Sequence, residues 1–298
     1  MKKLLVTGAS GFLGWNVLHQ TRGLYHVTGL YHSQPVNVSG VATVQVDLCD
    51  EAQVLSIMAS VKPDLVIHCA AASKPNFCEE HPELSHTINV KATRLLAQIC
   101  ALQNTKLVFT STDLVFDGEK GQYAEDSPTG PLMRYGRQKL EAEKAVLETP
   151  NGVVCRMPLM FGEAPPTAAS FLQGFLSQLQ KGESLRLFTD EYRSPLFAED
   201  AAKGLIWAGE HVQGLIHLGG KERMSRYEFG WLMCEAYGIS TELIEKGKQT
   251  DFKSSAKRSA DASLNSKFAF ASGFKPKKVA DALRIMASKS QPTKAMPS

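Results

Sequence analysis

The stretch KKLLVTGASGFLGWNVLHQ, residues 2–20, decides the fold class of this chain. Residues 2–7 form a short apolar run that is typical of a buried strand, and residues 12–20 are typical of the helix that follows it. A turn that contains glycines joins the two. A strand, a glycine turn and a helix in this order predict a phosphate-binding site, because the first turn of the helix directs its free N–H groups at the anion.

Three glycines in this turn have separate predicted roles. Gly8 permits the tight turn, Gly11 lets a pyrophosphate approach the backbone, and Gly14 lets the helix pack closely on the strand. Their spacing is G-x-x-G-x-x-G, whereas the commoner dinucleotide-binding pattern is G-x-G-x-x-G. The alternative interpretation is a turn with a purely structural role.

Tyr135 and Lys139 give the second signal. They stand four residues apart, so on a helix both side chains lie on one face. A nearby ammonium favours the phenolate, and we therefore expect Lys139 to lower the pKa of Tyr135 from its ordinary value near ~10. Tyr135 would then be a proton donor at neutral pH. Without further context, such a pair is more often part of a solvated helix face.

Two blocks, STDLVFDG at 111–118 and YGRQKLE at 135–141, make the chain resemble a known family. From residue 1 to about residue 220 it resembles the short-chain dehydrogenase/reductase superfamily, in the extended branch that acts on nucleotide sugars, and most of all the dTDP-4-dehydrorhamnose reductases. The resemblance implies that Thr112, Tyr135 and Lys139 are the catalytic residues. It also implies hydride transfer from a nicotinamide to a keto group of a nucleotide-linked sugar, with tyrosine as the proton donor.

Segments typical of strands and of helices alternate along the chain. This alternation predicts an α/β fold, a Rossmann-type doubly wound parallel sheet with a smaller C-terminal substrate lobe. After the first strand, further strands are predicted at 26–31, 41–46, 64–70, 106–110, 152–156 and 215–218. Long helices are predicted at 82–102 and around Tyr135 to Glu148.

The predicted domain organisation follows from these elements. Residues 1–160 form the NAD(P)-binding domain, and a segment at about 190–220 returns to it. The substrate-binding lobe consists of residues 161–189 and 221–286. Residues 287–298 lack periodicity and are rich in Ser, Lys and Pro, so we expect a disordered tail.

Two helix starts have recognisable caps. Asp50 is placed to cap one helix, with Gln53 as its reciprocal partner. Ser225 and Glu228 have the spacing of a capping box, and Gly238 is placed to end that helix.

The end of the second strand bears on the choice of cofactor. An acid there would accept hydrogen bonds from the ribose hydroxyls of NAD and would repel a 2′-phosphate. This chain has Tyr31-His32-Ser33 instead, with two side chains that can donate to a phosphate. We therefore expect NADP(H) as the preferred cofactor and NAD(H) as the alternative. The other interpretation is that His32 and Ser33 are ordinary surface residues.

The remaining predicted cofactor residues lie in the glycine turn or follow strands. The resemblance implies that Asp47 and Leu48 lie around the adenine, although Asp47 could instead cap the next helix. It also implies that the small residues at 69–71 lie beneath the cofactor, and that Asn89 holds the active-site backbone unless it is a polar residue on a helix surface. The predicted set is Gly8, Ser10, Gly11, Phe12, Leu13, Gly14, His32, Ser33, Asp47, Leu48, Cys69, Ala70, Ala71, Asn89, Tyr135 and Lys139.

Thr112, Asp113 and Arg193 are the predicted substrate residues. Thr112 would hydrogen-bond the substrate oxygen as negative charge develops on it. A guanidinium binds phosphate oxygens through two parallel hydrogen bonds, so Arg193 is a candidate for the phosphates of a nucleotide sugar, with an ordinary surface salt bridge as the alternative. His68 lies in an apolar strand and is expected to be a core residue, and we assign no metal site.

The composition of the chain bears on its partners and on its cellular compartment. The formal charge of +3 comes from 33 basic and 30 acidic residues spread along 298 positions, which does not favour nucleic acid as a partner. Six cysteines form no Cys-x-x-Cys pair and are interpreted as reduced core residues of a cytoplasmic protein. We see no signal peptide and no apolar run near the roughly 20 residues of a membrane helix. A homodimer is expected by family analogy only.

Other functions stay open. The C-terminal half also resembles the regulatory β subunit of methionine adenosyltransferase, with a similar run from Met224 to Glu228, which would make the protein a binding partner of an enzyme. An epimerase of nucleotide sugars is a third option. Leu114 and the pair Phe12-Leu13 depart from the reductase pattern, which has a Tyr and a Gln-containing turn at these places. Related dehydratases carry Thr-Asp-Glu where this chain has Leu114 after Asp113, so dehydration is not expected.

Overall fold

The computed structural model describes residues 1–168, 170–251 and 258–290. The strands are β1 (Lys3–Thr7), β2 (His26–Tyr31), β3 (Ala42–Gln45), β4 (Leu65–His68), β5 (Lys106–Thr112), β6 (Gly152–Met157), β7 (Met160–Phe161), β8 (Leu185–Phe188), β9 (Tyr192–Arg193), β10 (Leu196–Phe197), β11 (Gly214–His217), β12 (Met224–Ser225) and β13 (Ile244–Gly247). The α-helices are α1 (Phe12–Thr21), α2 (Glu51–Val61), α3 (Pro75–Glu80), α4 (Pro82–His86), α5 (Ala92–Leu102), α6 (Arg134–Leu147), α7 (Phe171–Gln180), α8 (Ala198–His211), α9 (Arg226–Tyr237), α10 (Lys267–Ala271) and α11 (Val279–Ser290).

Seven parallel strands form the central sheet, in the order β11-β6-β5-β4-β1-β2-β3. The order reverses direction between β1 and β4, which is the switch point where open α/β sheets bind ligands. The predicted Rossmann-type parallel sheet is confirmed, and each strand predicted from the sequence lies in it. The segment at 215–218 corresponds to β11, which pairs with β6 at the edge of the sheet.

Apolar side chains cover both faces of this sheet. Leu4 and Val6 of β1 belong to one core cluster with residues of α1 and α8, whereas Leu5 belongs to a second cluster with residues of α2, α5 and α6. Successive residues of a strand point to opposite faces, so a sheet covered on both sides needs continuous apolar runs. This arrangement explains why polar and apolar residues barely alternate along β1 and β4.

The predicted helix at 82–102 is present but is not a regular α-helix throughout. A π-helical segment, Thr87–Lys91, separates α4 from α5. Such segments insert an extra residue into a helix and occur often at functional sites. The sequence analysis predicted one continuous helix here and did not reveal this segment.

The C-terminal elements form a core of their own. Side chains of α7, β8, α9 and α11, among them Leu172, Leu187, Met233 and Leu283, belong to one buried cluster. Helix α9 begins with the predicted capping box at Ser225. The division into two domains stays a prediction.

Two details differ from expectation. Asp50 caps α2 as predicted, but Gln53 does not return a bond to the Asp50 backbone; its Oε1 accepts from the backbone N–H of Asp47 at 3.0 Å.

Helix α11 continues to Ser290, beyond the predicted start of a disordered tail at residue 287, because Ala287 is buried against the protein. Residues 291–298 lie outside the described residues. In the part of the chain that the structure describes, no helix has the length and apolar character needed to cross a membrane.

Candidate active site

A cleft of about 860 Å³ opens at the carboxyl ends of the central strands. It brings together residues from the glycine turn, from the loops after β2, β3 and β4, and from α6. The predicted residues that line it are Gly8, Ser10, Gly11, Phe12, Leu13, Gly14, His32, Asp47, Leu48, Cys69, Ala70, Ala71, Thr112, Tyr135 and Lys139. Four predicted residues, Ser33, Asn89, Asp113 and Arg193, are not among the lining residues.

The glycine turn forms the floor of one end of the cleft. Gly8 has a φ of +67°, a left-handed backbone conformation that residues with a Cβ rarely adopt. A Cβ at this position would lie 2.7 Å from the backbone nitrogen of Ala70. A Cβ on Gly14 would lie 2.2 Å from the carbonyl oxygen of Gly8. Helix α1 therefore packs directly on the backbone of the turn, as the spacing predicts, and its first residues face the cleft.

The loops after β2 and β3 form the wall beside this turn. His32, Asp47 and Leu48 line it, whereas Ser33 is exposed and lies outside the lining. Asp47 does not cap the helix, since Asp50 does; its Oδ1 instead accepts from the backbone N–H of Cys49 at 2.9 Å.

The six cysteines are all free thiols. Their interpretation as core residues is wrong for two of them. Cys49 is exposed, and Cys69 is half-buried, and both line the cleft because each follows a strand that ends there.

Asn89 supports the wall of the cleft from behind. It lies in the π-helical segment, is buried, and its side chain binds both polar groups of the Ala72 backbone: Oδ1 accepts from the N–H at 2.8 Å and Nδ2 donates to the carbonyl at 3.1 Å. Nδ2 also donates to Gln138 of α6 at 2.9 Å. The alternative of a polar residue on a helix surface is wrong, and Asn89 joins the loop after β4 to the helix of Tyr135 and Lys139.

His68 is the satisfied core residue that the sequence predicts. It is buried at the end of β4, with Nδ1 2.6 Å from Thr7 Oγ1 and Nε2 3.0 Å from Thr93 Oγ1. Burial and, to a smaller extent, the charge of the nearby Lys139 lower the pKa of His68 to about 3. The imidazole is therefore neutral at physiological pH and has a structural role.

Tyr135 and Lys139 both lie on the buried face of α6. The pKa of Tyr135 is raised above its ordinary value by burial, and then by the neighbouring carboxyl of Asp113 and the thiol of Cys78. The expectation that Lys139 lowers the pKa of Tyr135 is wrong for this structure. Burial of the side chain and the negative charge of Asp113 both favour the neutral phenol.

Lys139 is more deeply buried than its partner. Its Nζ lies 4.0 Å from the centre of the Phe109 ring. Burial lowers the pKa of Lys139 to about 7, and the carboxylate of Glu143 and the thiol of Cys69 oppose this shift. Because this pKa lies near neutrality, the charges around Lys139 decide whether its amine is protonated at physiological pH.

Thr112 ends β5 at the centre of the cleft. Its hydroxyl donates to Oδ1 of Asp113 at 3.1 Å and accepts from the backbone N–H of Leu114 at 3.2 Å. Asp113 itself is buried, and burial raises its pKa to about 6 against the opposing effect of Arg193. The structure thus places Asp113 behind Thr112 rather than in the lining.

Arg193 is the predicted substrate residue whose position differs most from expectation. Its Nε lies 3.4 Å from Oδ2 of Asp113, and Nη1 donates to the backbone carbonyls of Tyr192 at 2.7 Å and Ser259 at 3.2 Å. The side chain is buried, so it is not an ordinary surface salt bridge. This arrangement does not favour a role as a phosphate ligand, because its donors are directed at protein acceptors.

Sequence reasoning missed part of the lining. Met157 ends β6 and Pro158 follows it, and the rule that ligands bind at strand ends could have identified them. Phe77, Leu84 and Ile88 form an apolar side of the cleft, which depends on how α3 and α4 fold back over it. No local pattern indicates that packing.

Comparison with known proteins identifies relatives that match most of this chain. The chain is 34% identical over 261 residues to a probable low-salt glycan biosynthesis reductase of Haloferax volcanii, covering 85% of this chain and 86% of the relative. It is 32% identical over 252 residues to methionine adenosyltransferase 2 subunit beta of Xenopus laevis, covering 82% of this chain and 74% of the relative.

Solved structures show the same fold. A dTDP-4-dehydrorhamnose reductase from Bacillus anthracis in complex with NADP superposes with a TM-score of 0.84 at 21% identity, covering 97% of this chain and 99% of that one. A hypothetical dTDP-4-dehydrorhamnose reductase from Sulfolobus tokodaii gives 0.82 at 28% identity, with 93% and 98% covered. The family model described as the RmlD substrate binding domain matches residues 1–291. The whole folded region that carries this cleft is thus accounted for by one family model, and the chain belongs to the RmlD substrate binding domain family.

Proposed function

We propose that the protein is an NAD(P)H-dependent reductase of a keto group on a nucleotide-linked sugar. The observation that carries this proposal is the convergence of the glycine turn with Thr112, Tyr135 and Lys139 in one cleft. The names of two relatives, a glycan biosynthesis reductase and a dTDP-4-dehydrorhamnose reductase, support the same reaction class.

The cleft fits a nicotinamide dinucleotide. The turn at Gly8 and Gly14 has no room for side chains, and although the N–H of Gly11 donates to the carbonyl of Gly8, the N–H groups at the start of α1 are left to bind a pyrophosphate. Ala70 and Ala71 keep the middle of the cleft open, and His32 and Leu48 lie at the end expected for the adenosine. When bound, the nicotinamide would supply the hydride.

Tyr135 is proposed as the proton donor to the substrate oxygen. In the structure it is a neutral phenol with its pKa raised by burial, which keeps the proton available for donation. Lys139, on the same face of α6, would stabilise the phenolate that remains after the proton has moved. Its ammonium would also hold the nicotinamide ribose.

Thr112 is proposed to bind the same substrate oxygen. A hydroxyl rotates freely, so the hydrogen that now points to Asp113 can turn towards a substrate. Its donation would stabilise the negative charge that develops on the oxygen. The two donors, Thr112 and Tyr135, line the same cleft from β5 and α6.

The rest of the substrate is proposed to lie against the C-terminal lobe. Most of the separate apolar cluster around α7, α9 and α11 comes from residues 161–189 and 221–286, which supports their assignment as a substrate lobe, although Phe197 also belongs to it and Ala269 and Phe274 pack with the central sheet. Residues of α8 and β11 pack with the central sheet, which supports the return of residues 190–220 to the cofactor domain.

A screen of 4-keto nucleotide sugars for NADPH oxidation tests the proposal. A reductase consumes NADPH in proportion to the keto sugar supplied, whereas an epimerase regenerates its cofactor and consumes none. The Tyr135→Phe variant is the matched control. No oxidation with any keto sugar, although the dinucleotide binds, would contradict the reductase assignment.

A second candidate is a regulatory subunit. The 32% identity to methionine adenosyltransferase 2 subunit beta favours it. Copurification with a methionine adenosyltransferase catalytic chain, measured by size-exclusion chromatography, distinguishes the two functions. A stable complex that survives the Tyr135→Phe change would support a binding role.

A further inference from the structure

Glu143 is a buried carboxylate that the reaction described above does not use. It is 1% exposed, and it lies on α6 four residues after Lys139, which itself lies four residues after Tyr135. Residues at this spacing share one face of a helix, with neighbouring Cβ atoms about 5–6 Å apart. The three side chains therefore form a buried row that begins in the cleft and ends beneath it.

Contacts with the sheet fix the position of this carboxylate. Its two oxygens bind the Arg156 guanidinium through a fork, Nε to Oε1 at 3.0 Å and Nη2 to Oε2 at 2.8 Å. Oε1 also accepts from the hydroxyl of Ser111. Ser111 and Arg156 are directly paired neighbours in β5 and β6, so both ligands are set by the register of the sheet.

The other groups that face Lys139 carry no negative charge at neutral pH. His68 and Cys69 approach from β4 and the loop after it, and burial keeps the pKa of the thiol near 12 and that of the imidazole near 3. Tyr135 is neutral, and Phe109 of β5 offers only its ring face. Among the described groups around the ammonium, Glu143 supplies the anion.

We propose that Glu143 is a positioning residue for the proposed reaction: anchored by Ser111 and Arg156, and one helical turn from Lys139 on the buried face of α6, it keeps the Lys139 side chain in the charged ammonium form. This inference rests on the proposed function for one point, the catalytic role of Lys139. A buried ammonium without a nearby anion loses its proton, because desolvation disfavours the charged form. Arg156 and Ser111 bind both oxygens of Glu143, so the carboxylate acts on the ammonium of Lys139 through space rather than through a direct ion pair.

The ionisation of Lys139 can be measured directly. Protein carrying lysine labelled with ¹³C at the ε carbon is titrated by NMR, and the Lys139→Met variant assigns the signal. In Glu143→Gln we expect the titration of Lys139 to move to lower pH by on the order of one pH unit. Glu143→Asp, which keeps the charge, should restore most of the wild-type titration.

Glu141→Gln is the matched control. Glu141 lies on the same helix but is half-exposed and pairs with His86 and Arg94, so its loss should leave the titration of Lys139 unchanged. Since Glu143→Gln leaves Arg156 buried and unpaired, Glu143→Gln/Arg156→Gln provides a second variant with no net buried charge. An unchanged Lys139 titration in a folded Glu143 variant, even with lower stability, would overturn the inference and leave Glu143 a structural residue.

The pH dependence of the affinity for NADPH distinguishes a failure of this inference from a failure of the proposed function. If wild-type protein binds NADPH, the alkaline loss of affinity should begin at lower pH in Glu143→Gln than in wild type or Glu141→Gln. If wild-type protein binds neither NADPH nor NADH, the proposed function fails. The NMR titration still decides the role of Glu143.

Discussion

Arg193 pairs with Asp113 beneath the cleft, with Nε 3.4 Å from Oδ2 and both side chains buried. This contact links β9 to the end of β5, because Asp113 accepts the hydroxyl hydrogen of Thr112 with its other oxygen. The Arg193 guanidinium thus supports Thr112, a proposed catalytic residue, through the side chain of Asp113.

Replacing Arg193 with Met should destabilise the protein in a pH-dependent way. The change leaves Asp113 as a buried unpaired carboxylate, which costs about 3 kcal/mol at neutral pH. Burial already raises the pKa of Asp113 to about 6, and loss of the guanidinium raises it further. A raised carboxyl pKa favours the folded state at low pH and loses that contribution as pH rises, so the loss should be smaller near pH 5 than at pH 7.

Urea unfolding at the two pH values measures this effect. Arg284→Met is the control, because Arg284 is exposed and forms an i,i+3 pair with Asp281. An equal loss for Arg193→Met at both pH values would show that Asp113 does not respond to its partner.

Tyr135→Phe should keep cofactor binding and lose most turnover. The ring, which lines the cleft, stays in place, and the proton donor is removed. Lys139→Met should damage both properties, because the ammonium is proposed to serve ribose and phenolate together. Titration of NADPH fluorescence and steady-state rates with a verified keto sugar give the two readouts. Near-wild-type turnover in the Phe variant would exclude Tyr135 as the acid.

NADPH should bind more tightly than NADH. His32 lines the cleft at the end of β2, where no acid follows the strand, and its imidazole can donate to a 2′-phosphate. His32→Ala should therefore weaken NADPH more than NADH. Ser33→Ala serves as a control, since Ser33 lies outside the lining. Fluorescence titration measures both affinities, and equal or reversed values in wild type would contradict the assignment.

The protein should not dehydrate a nucleotide hexose. Leu114 packs against the buried cluster of Cys78, Met133 and Tyr135, and its alkyl side chain cannot accept a proton. Dehydration needs a base at this point, whereas hydride transfer does not. Mass spectrometry of the product decides between them: loss of water from a nucleotide hexose, with the cofactor regenerated, would rule against a reductase.

His217 should make the protein sensitive to acid. Burial and the neighbouring Arg156 lower its pKa from 6.5 to about 3 in the folded state. Below pH 6.5 the unfolded chain takes up a proton that the folded chain does not, so stability is lost as pH falls, by up to about 1.4 kcal/mol per pH unit. His217→Asn, which can still donate to the carbonyl of Tyr123, should reduce this slope in urea unfolding. His26→Asn, at an exposed position, should not.

The sequence by itself determined the sheet and the local geometry of the cofactor end of the cleft. Apolar runs such as β1 identify strands buried on both faces, and the spacing of Gly8 and Gly14 reflects a turn with no room for a Cβ. Both are properties of consecutive residues, so they are written in the local pattern. The same holds for Tyr135 and Lys139, since one helix carries both.

Only the tertiary structure decided which charges meet beneath the cleft. Arg193 reaches Asp113, and Glu143 meets Arg156 and Ser111, through contacts between elements far apart in the chain. The pKa of Tyr135 rises because of what surrounds it, and the spacing to Lys139 could not reveal that surrounding. Desolvation and charge pairing depend on distances through the folded protein, and sequence spacing along one helix records only a small part of them.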